Sequence, residues 1–329
     1  MAATTQVLCI GNAIVDIIAR VEDDFLEKHD CIKGSMMLVD AETSARIYGD
    51  MPPATERSGG SAGNTAAGIV SFGGSAAYIG KVHNDQLGTV FAHDIKAAGV
   101  SFETTPSTEG APTATSMILV TPDAQRTMNT FLGSCTELTP DDVDESVVAG
   151  AHVVYVEGYL WDRPSMKESV LKAYEYAANS ETKISLSLSD SFCVDRFRDE
   201  FLDLVENQVD ILFANEAEIT ALYQVETFEE AVKKVQATGK LAALTRGEKG
   251  SVVVNKGELI PVAASPTNVE DTTGAGDLYA AGFLFGYTNG YSLEDCARLG
   301  GLAAAEVISH LGARPEVSLC DLKMENLSL

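Results

Sequence analysis

The heptapeptide DTTGAGD at residues 271–277 sets two carboxylates around a run of small and hydroxylated residues and leads at once into LYAAGFLFGY, a strongly apolar stretch. Gly274 and Gly276 carry no Cβ, so backbone N–H groups there can approach an anion closely. The helix that follows adds unpaired first-turn donors and the positive end of its dipole, which together suit a phosphate. A carboxylate in the same place repels a phosphate unless it has another task. Proton abstraction from an attacking hydroxyl is such a task for Asp277. A helix N-terminus is expected to hold its pKa low, leaving it ionised but weakly basic, so that positioning and charge stabilisation carry most of the rate. The competing reading is that Asp271 and Asp277 only cap the helix.

Two further clusters carry chemistry. NEAE at 215–218 follows the strand-like VDILFA; if it opens a helix, Asn215 and Glu218 share one face and can order the waters of a Mg²⁺ ion. The same residues would also make an ordinary helix start. GNAIVD at 11–16 and SGGSAGN at 58–64 bring Asn12, Asp16, Gly59, Gly60 and Asn64. A carboxylate, amides and exposed backbone are the groups that hold vicinal sugar hydroxyls. GGSAGN is not a dinucleotide fingerprint, and no GxxxxGK[ST] loop occurs.

These clusters need a scaffold that brings them together. Apolar runs at 6–12, 75–82, 151–159, 182–188, 209–215 and 240–247 read as buried strands, and 251–262 as a hairpin turning near Asn255–Gly257. Helical spacing at 64–73, 85–99, 165–179 and 228–239 lies between them. The alternation predicts an α/β fold with a mostly parallel sheet covered on both faces. Residues 14–58, read as a strand, a polar excursion and a second strand, and 104–130, strand-like with a turn at Pro122–Asp123, break the rhythm. They predict an inserted small sheet covering the main domain.

The 329 residues allow one large or two modest domains, and the net charge of −25 argues against nucleic-acid and anionic-membrane partners. Six scattered cysteines without CxxC spacing, no basic leader before Arg20 and no apolar run long enough to span a bilayer predict a cytoplasmic protein with reduced thiols.

DTTGAGD and SGGSAGNTAAGIVSFGG (58–74), in this order and about 210 residues apart, resemble the two signatures of the PfkB (ribokinase-like) carbohydrate kinases. The resemblance spans nearly the whole chain. It implies a three-layer α/β/α domain (1–13, 59–103 and 131–329) with a small β-sheet lid (14–58 and 104–130). It also implies Asp277 as catalytic base and the backbone of Gly274, Ala275 and Gly276 as anion hole. NEAE resembles the family's NxxE motif, and TRGEKG (245–250) its nucleotide turn. Asn215, Thr245, Gly247, Thr273, Gly274 and Gly276 would then lie on the ATP side, with Mg²⁺ held through water by Asn215 and Glu218.

Some members bind a monovalent cation such as K⁺ near the first signature aspartate; whether Asp271 and Thr273 do so is left open. The segment 303–315 corresponds to a wall of the adenine pocket, in which His310 reads as structural. Within the family, GNAIVD, Ser61 in place of the lysine of ribokinases, AQRTMNTFLGS (124–134) and SLSDSF (187–192) are closer to adenosine kinases. That closer likeness implies transfer to the 5′-hydroxyl of adenosine or a related nucleoside. Asp16, Gly60 and Asn64 would bind ribose with Asn12 and Gly59 nearby, Ile14, Met36, Phe131 and Phe192 would wall the base, and Arg126 would reach the phosphates. A fructose- or ribose-type sugar kinase and a silent nucleoside-binding protein remain the alternatives. The partners implied are small molecules and ATP, in a monomer or homodimer.

Overall fold

The computed structural model describes residues 5–123 and 125–326; the remaining positions of the expected domain spans, 1–4, 124 and 327–329, lie outside them. The chain begins β1 (Thr5–Ile10), β2 (Ile14–Arg20), α1 (Asp23–Lys28), β3 (Met36–Leu38), α2 (Ala41–Asp50), β4 (Thr55–Ser58), α3 (Ser61–Ser71) and β5 (Ala76–Ile79). It continues through α4 (Gln86–Ala97), β6 (Ser101–Phe102), β7 (Ala114–Val120), β8 (Arg126–Phe131), α5 (Glu145–Ala149), β9 (Ala151–Glu157), α6 (Pro164–Ala178) and β10 (Lys183–Ser187). Then come α7 (Ser191–Asn207), β11 (Ile211–Asn215), α8 (Glu216–Tyr223), α9 (Phe228–Thr238), β12 (Leu241–Thr245), β13 (Ser251–Asn255), β14 (Glu258–Val262), α10 (Ala275–Thr288), α11 (Leu293–Val307) and α12 (Leu319–Asn326).

Among the described residues nine strands form one sheet in the order β14-β13-β12-β11-β10-β9-β1-β5-β6, parallel from β12 to β6, with β13 and β14 added antiparallel. Period-two alternation splits each central strand between two cores. Leu8, Ile10, Val154 and Val156 face α5–α9, whereas Val7, Cys9, Val153 and Tyr155 face α3, α4 and α10–α12. This is the three-layer α/β/α architecture that the alternating pattern predicts. After β1 the chain adds β5 and β6 on one side, then returns to add β9 on the other. The switch point lies between β1 and β9, and ligands of open α/β sheets bind outside the carboxyl ends of strands at such a point.

Five strands, β3-β8-β7-β2-β4, make a second sheet with its own small core of Ala19, Leu26, Ile47, Met117 and Leu119. The polar excursion expected inside 14–58 holds two helices. α2 starts where Asp40 accepts the Thr43 N–H at 2.8 Å. The hairpin at 251–262 turns where expected, with Lys256 and Gly257 both at positive φ. α7 is a helix that periodicity did not pick out. It breaks at Phe197, whose backbone is non-helical, so its apolar stripe does not run continuously.

α10 is buried along most of its length and packs on α3 and α11. Its approach is close because small residues line the contact. A Cβ on Gly68 would lie 2.6 Å from that of Ala281, and one on Gly282 would lie 2.5 Å from the Leu299 backbone. That proximity brings the first turns of α3 and α10 side by side. Among the described residues no helix is long and apolar enough to cross a membrane.

Candidate active site

The carboxyl ends of β1, β9, β10, β11 and β12 open into one cavity of about 840 Å³, and β2, β3, β7 and β8 of the smaller sheet form its other wall. From the large domain come Asn12, Gly60, Ser61, Asn64, Glu157, Asn215, Glu218, Thr245, Thr273, Gly274, Gly276 and Asp277; from the smaller sheet Ile14, Asp16, Met36 and Ser116.

Gly274 is the N-cap of α10 at φ +77°, where a Cβ would meet Ala313 at 2.8 Å, so glycine is required there twice over. Leu278 N–H is taken by the Gly274 carbonyl at 2.8 Å, and the earlier N–H groups of the turn have no acceptor within the helix. Gly276 stands open on its cavity side.

Asp277 is held from α3: the Ser61 hydroxyl donates to Oδ1 at 2.6 Å and the Asn64 amide to Oδ2 at 2.9 Å. Its pKa is raised, not lowered as its place on the helix suggests. Removal from water disfavours the carboxylate more than Ser61, Asn64 and the charge of Arg314 favour it. The expectation of a weak base is thereby corrected.

Gly59 lies beneath the Asp16 carboxylate, where a Cβ would be 2.3 Å from Oδ2, and Gly60, at φ +83°, presses on the Asn12 carbonyl. Asp16 is pushed up to about 6, first by desolvation and then by Asp277, against the pull of Arg314 and Arg126. Asn12 and Asn64 are both 5% exposed, and among the described residues neither side-chain oxygen has a partner.

Asn215 and Glu218 occupy each other. The Asn215 backbone and side-chain N–H groups donate to the Glu218 carboxylate at 2.9 and 2.6 Å, and the Asn215 oxygen accepts the Glu218 N–H at 2.9 Å. The capping arrangement is present, and both residues also line the cavity. Glu218 is raised to about 7 by desolvation, with the charges of Asp190 and Asp277 adding.

Some expected residues lie elsewhere. Arg126 is drawn to Asp271 and to the Thr273 hydroxyl, so the Asp271 carboxylate faces a guanidinium. Asp271 is buried and held below the usual carboxylate range by Arg126 and by the Gly312 and Thr273 N–H groups, which outweigh its desolvation. Phe131 is not in the cavity wall; it ends β8 beside Gly133. Ala275 lies within the first turn of α10, off the wall, and Gly247 opens a short turn beyond β12. Met36 and Phe192 do line the cavity, but at its mouth, 53% and 77% exposed, rather than as packed walls. His310 pairs with Glu306 at 3.2 Å, a structural contact.

The sequence reading omits Glu157, Tyr159, Asp190 and Arg314. The signal for Glu157 was available: a lone carboxylate ending the apolar run AHVVYVE at the carboxyl end of a parallel strand. Arg314 donates to the Ser58 carbonyl at 2.8 Å and to its hydroxyl at 2.9 Å, and its charge interacts with those of Asp16 and Asp277.

Residues 4–319 match the family described as pfkB family carbohydrate kinase. The crystal structure of adenosine kinase from Sinorhizobium meliloti superposes with a TM-score of 0.91 at 54% identity, covering 98% of this chain and 99% of that one. A probable sugar kinase from Rhizobium etli CFN 42 superposes equally, TM-score 0.91, at 52% identity over 98% of both chains. The adenosine kinase of Saccharomyces cerevisiae is 27% identical over 334 residues, 94% of this chain and 96% of that protein.

Proposed function

This chain belongs to the pfkB family of carbohydrate kinases, phosphotransferases with an alcohol as acceptor, and from that premise we propose that it moves the γ-phosphoryl group of ATP to the 5′-hydroxyl of adenosine or a related nucleoside. The observation that carries the acceptor reading is the sign of the groups around Asp277. Asn12 Oδ1, Asn64 Oδ1, Asp16 and Asp277 offer only hydrogen-bond acceptors, so they select a ligand rich in O–H donors. A ribose with vicinal hydroxyls fits. The apolar side chains of Ile14, Met36, Ile118 and Met128 from the small sheet suit a base. The Sinorhizobium meliloti adenosine kinase supports the same acceptor by its likeness.

Asp277 takes the proton of the acceptor hydroxyl. Its raised pKa brings it nearer the operating pH than a surface aspartate would be. The N–H groups of Gly274 and Gly276 and the dipole of α10 stabilise charge on the phosphoryl oxygens, while the Ala275 N–H reaches back to the Thr272 carbonyl at 3.3 Å. Among the described residues no group of three or more His, Cys, Asp or Glu could hold a bare metal ion. Asn215 and Glu218, an amide and a carboxylate on the cavity wall, fit a Mg²⁺ bound by phosphates and waters, whose waters they would orient. When bound, Mg²⁺ neutralises charge on the transferred group. In this reading 14–58 and 104–130 form a lid on the catalytic domain of 1–13, 59–103 and 131–329, and its closure excludes water.

The second reading is a free-sugar kinase, favoured by the probable sugar kinase from Rhizobium etli. The test is ADP release from ATP and Mg²⁺ with adenosine, other nucleosides, ribose and fructose offered separately, and Asp277→Asn as control. Turnover with adenosine and a loss of about 10²- to 10⁴-fold in the variant support the proposal. Turnover confined to a free sugar overturns the adenosine assignment.

A further inference from the structure

The mechanism above gives no task to Glu157, a carboxylate 1% exposed at the end of β9, beside the point where the strand order reverses. Its two oxygens are divided between two segments. Oε1 accepts the Asn12 N–H at 2.8 Å and Oε2 accepts the Ala62 N–H at 2.8 Å. Asn12 lies in the link from β1 to β2, which continues to Asp16. Ala62 is in the first turn of α3, which carries Ser61 and Asn64. The N-cap of that helix is Gly60, which has no side chain to cap it. Glu157 supplies the missing cap from another strand, at the positive end of the helix dipole.

The space around the carboxylate is closed. A Cβ on Gly11 would lie 2.4 Å from Oε2 and 2.6 Å from the Ala62 Cβ, so the three segments meet with no slack. We propose that Glu157 is a positioning residue that locks the link carrying Asn12 and Asp16 to the N-terminus of α3, and thereby sets the affinity for the acceptor alcohol. Burial pushes the group up to about 7, against the pull of these same two N–H groups, so its environment costs something to maintain. The inference rests on the acceptor site described above.

Steady-state kinetics of Glu157→Gln and Glu157→Asp test it. Glutamine keeps the shape but points an NH₂ group at one of two buried N–H donors. Aspartate keeps the charge but is one methylene too short to reach both. Wild-type turnover with adenosine is measured first. If adenosine is not a substrate, the nucleoside reading fails by itself, and the variants are assayed with whichever alcohol the wild type does phosphorylate. The expected result in both variants is a KM for that alcohol raised about 10- to 100-fold, with the KM for ATP within about twofold of wild type. Calorimetric affinity for a non-hydrolysable ATP analogue should also be unchanged, which shows that the fold is intact. Unchanged acceptor KM in Glu157→Gln overturns the proposal. So does a wild-type acceptor KM in Glu157→Asp, which would mean that charge and not reach matters. Equal losses of acceptor and ATP-analogue binding overturn it as well, since they would mark a merely structural role.

Discussion

The hydroxyl of Ser61 donates to Asp277 Oδ1 at 2.6 Å, which ties the first turn of α3 to the first turn of α10 between residues 216 positions apart. The bond does two things to the base. It orients one oxygen and leaves lone pairs free for the acceptor hydroxyl, and it favours the ionised form against the burial that disfavours it. Ser61→Ala removes one of the two α3 donors to Asp277 and leaves the other, the Asn64 bond at 2.9 Å. The pKa of Asp277 should therefore rise further. The acid limb of the kcat profile should move to higher pH, with kcat near neutrality falling roughly 10- to 100-fold, about the worth of one hydrogen bond to a charged group. An unchanged pH profile would remove Ser61 from the positioning of the base.

Arg126 crosses from the small sheet to the large domain. It is bound to Asp271 and Thr273, beside the loop proposed to receive the phosphates. Its other terminal nitrogen is buried and has no partner among the described residues. A planar fork with a spare donor suits an incoming phosphate, toward which the guanidinium can turn without losing charge compensation. Arg126→Ala should raise the KM for ATP by about 10- to 100-fold, and Arg126→Lys should recover only part of the loss. Nucleoside binding measured by calorimetry without ATP should stay within about twofold. An unaltered KM for ATP would confine Arg126 to holding the two sheets together.

Asp16 is pushed up to about 6, because desolvation and Asp277 outweigh the two arginines, so it stays ionised at neutrality and protonates in mild acid. As an acceptor of ribose hydroxyls it works ionised. The KM for the acceptor should rise as pH falls through 6, by roughly tenfold per unit once the group is protonated, while the KM for ATP stays flat. Asp16→Asn should raise the acceptor KM at every pH and abolish its slope. The same group has a consequence for stability. Asp16 and Glu157, at about 6 and about 7, bind protons in the folded chain that the unfolded chain has already released. Between pH 5 and 7.5 the native state therefore carries more protons, and stability falls as pH rises. The thermal midpoint should decline across that window and decline less in Asp16→Asn. A midpoint rising from pH 5 to 7.5 would contradict the assignment.

What the sequence disclosed followed from how few structures a residue type permits. Gly274 beside Asp277 and Gly59–Gly60 before Asn64 are legible because glycine at a close approach and carboxylate at a helix start have few uses. The buried strands are legible because a parallel sheet covered on both faces leaves continuous apolar runs such as VDILFA. Glu157 is visible as a lone carboxylate ending an apolar run, but its two partners, backbone N–H groups 145 and 95 residues away, leave no mark in the sequence. Arg126 was placed near phosphates, yet its bond to Asp271 spans 145 residues and depends on how the two sheets meet. The direction of the Asp277 shift was missed for a similar reason. A helix terminus is visible in sequence, but the depth of the cavity around it is not.

The Gly60 backbone carries the last prediction. Its φ of +83° and ψ of 143° belong to a region that side-chain-bearing residues rarely enter, and a Cβ there would lie 2.1 Å from the Asn12 carbonyl oxygen. Gly60→Ala must either strain its own backbone or push Asn12 away from Glu157 and the acceptor. It should cost about 2 kcal/mol or more in stability and raise the acceptor KM at least about tenfold. Gly247 is the control. It too has positive φ, +58°, but no atom lies within 4 Å of its would-be Cβ. Gly247→Ala should cost about 1 kcal/mol and leave the acceptor KM alone. Denaturant midpoints and acceptor kinetics on the two variants separate backbone strain from displacement of Asn12. Equal acceptor KM values in both would mean that the contact of Gly60 with Asn12 does not shape the site.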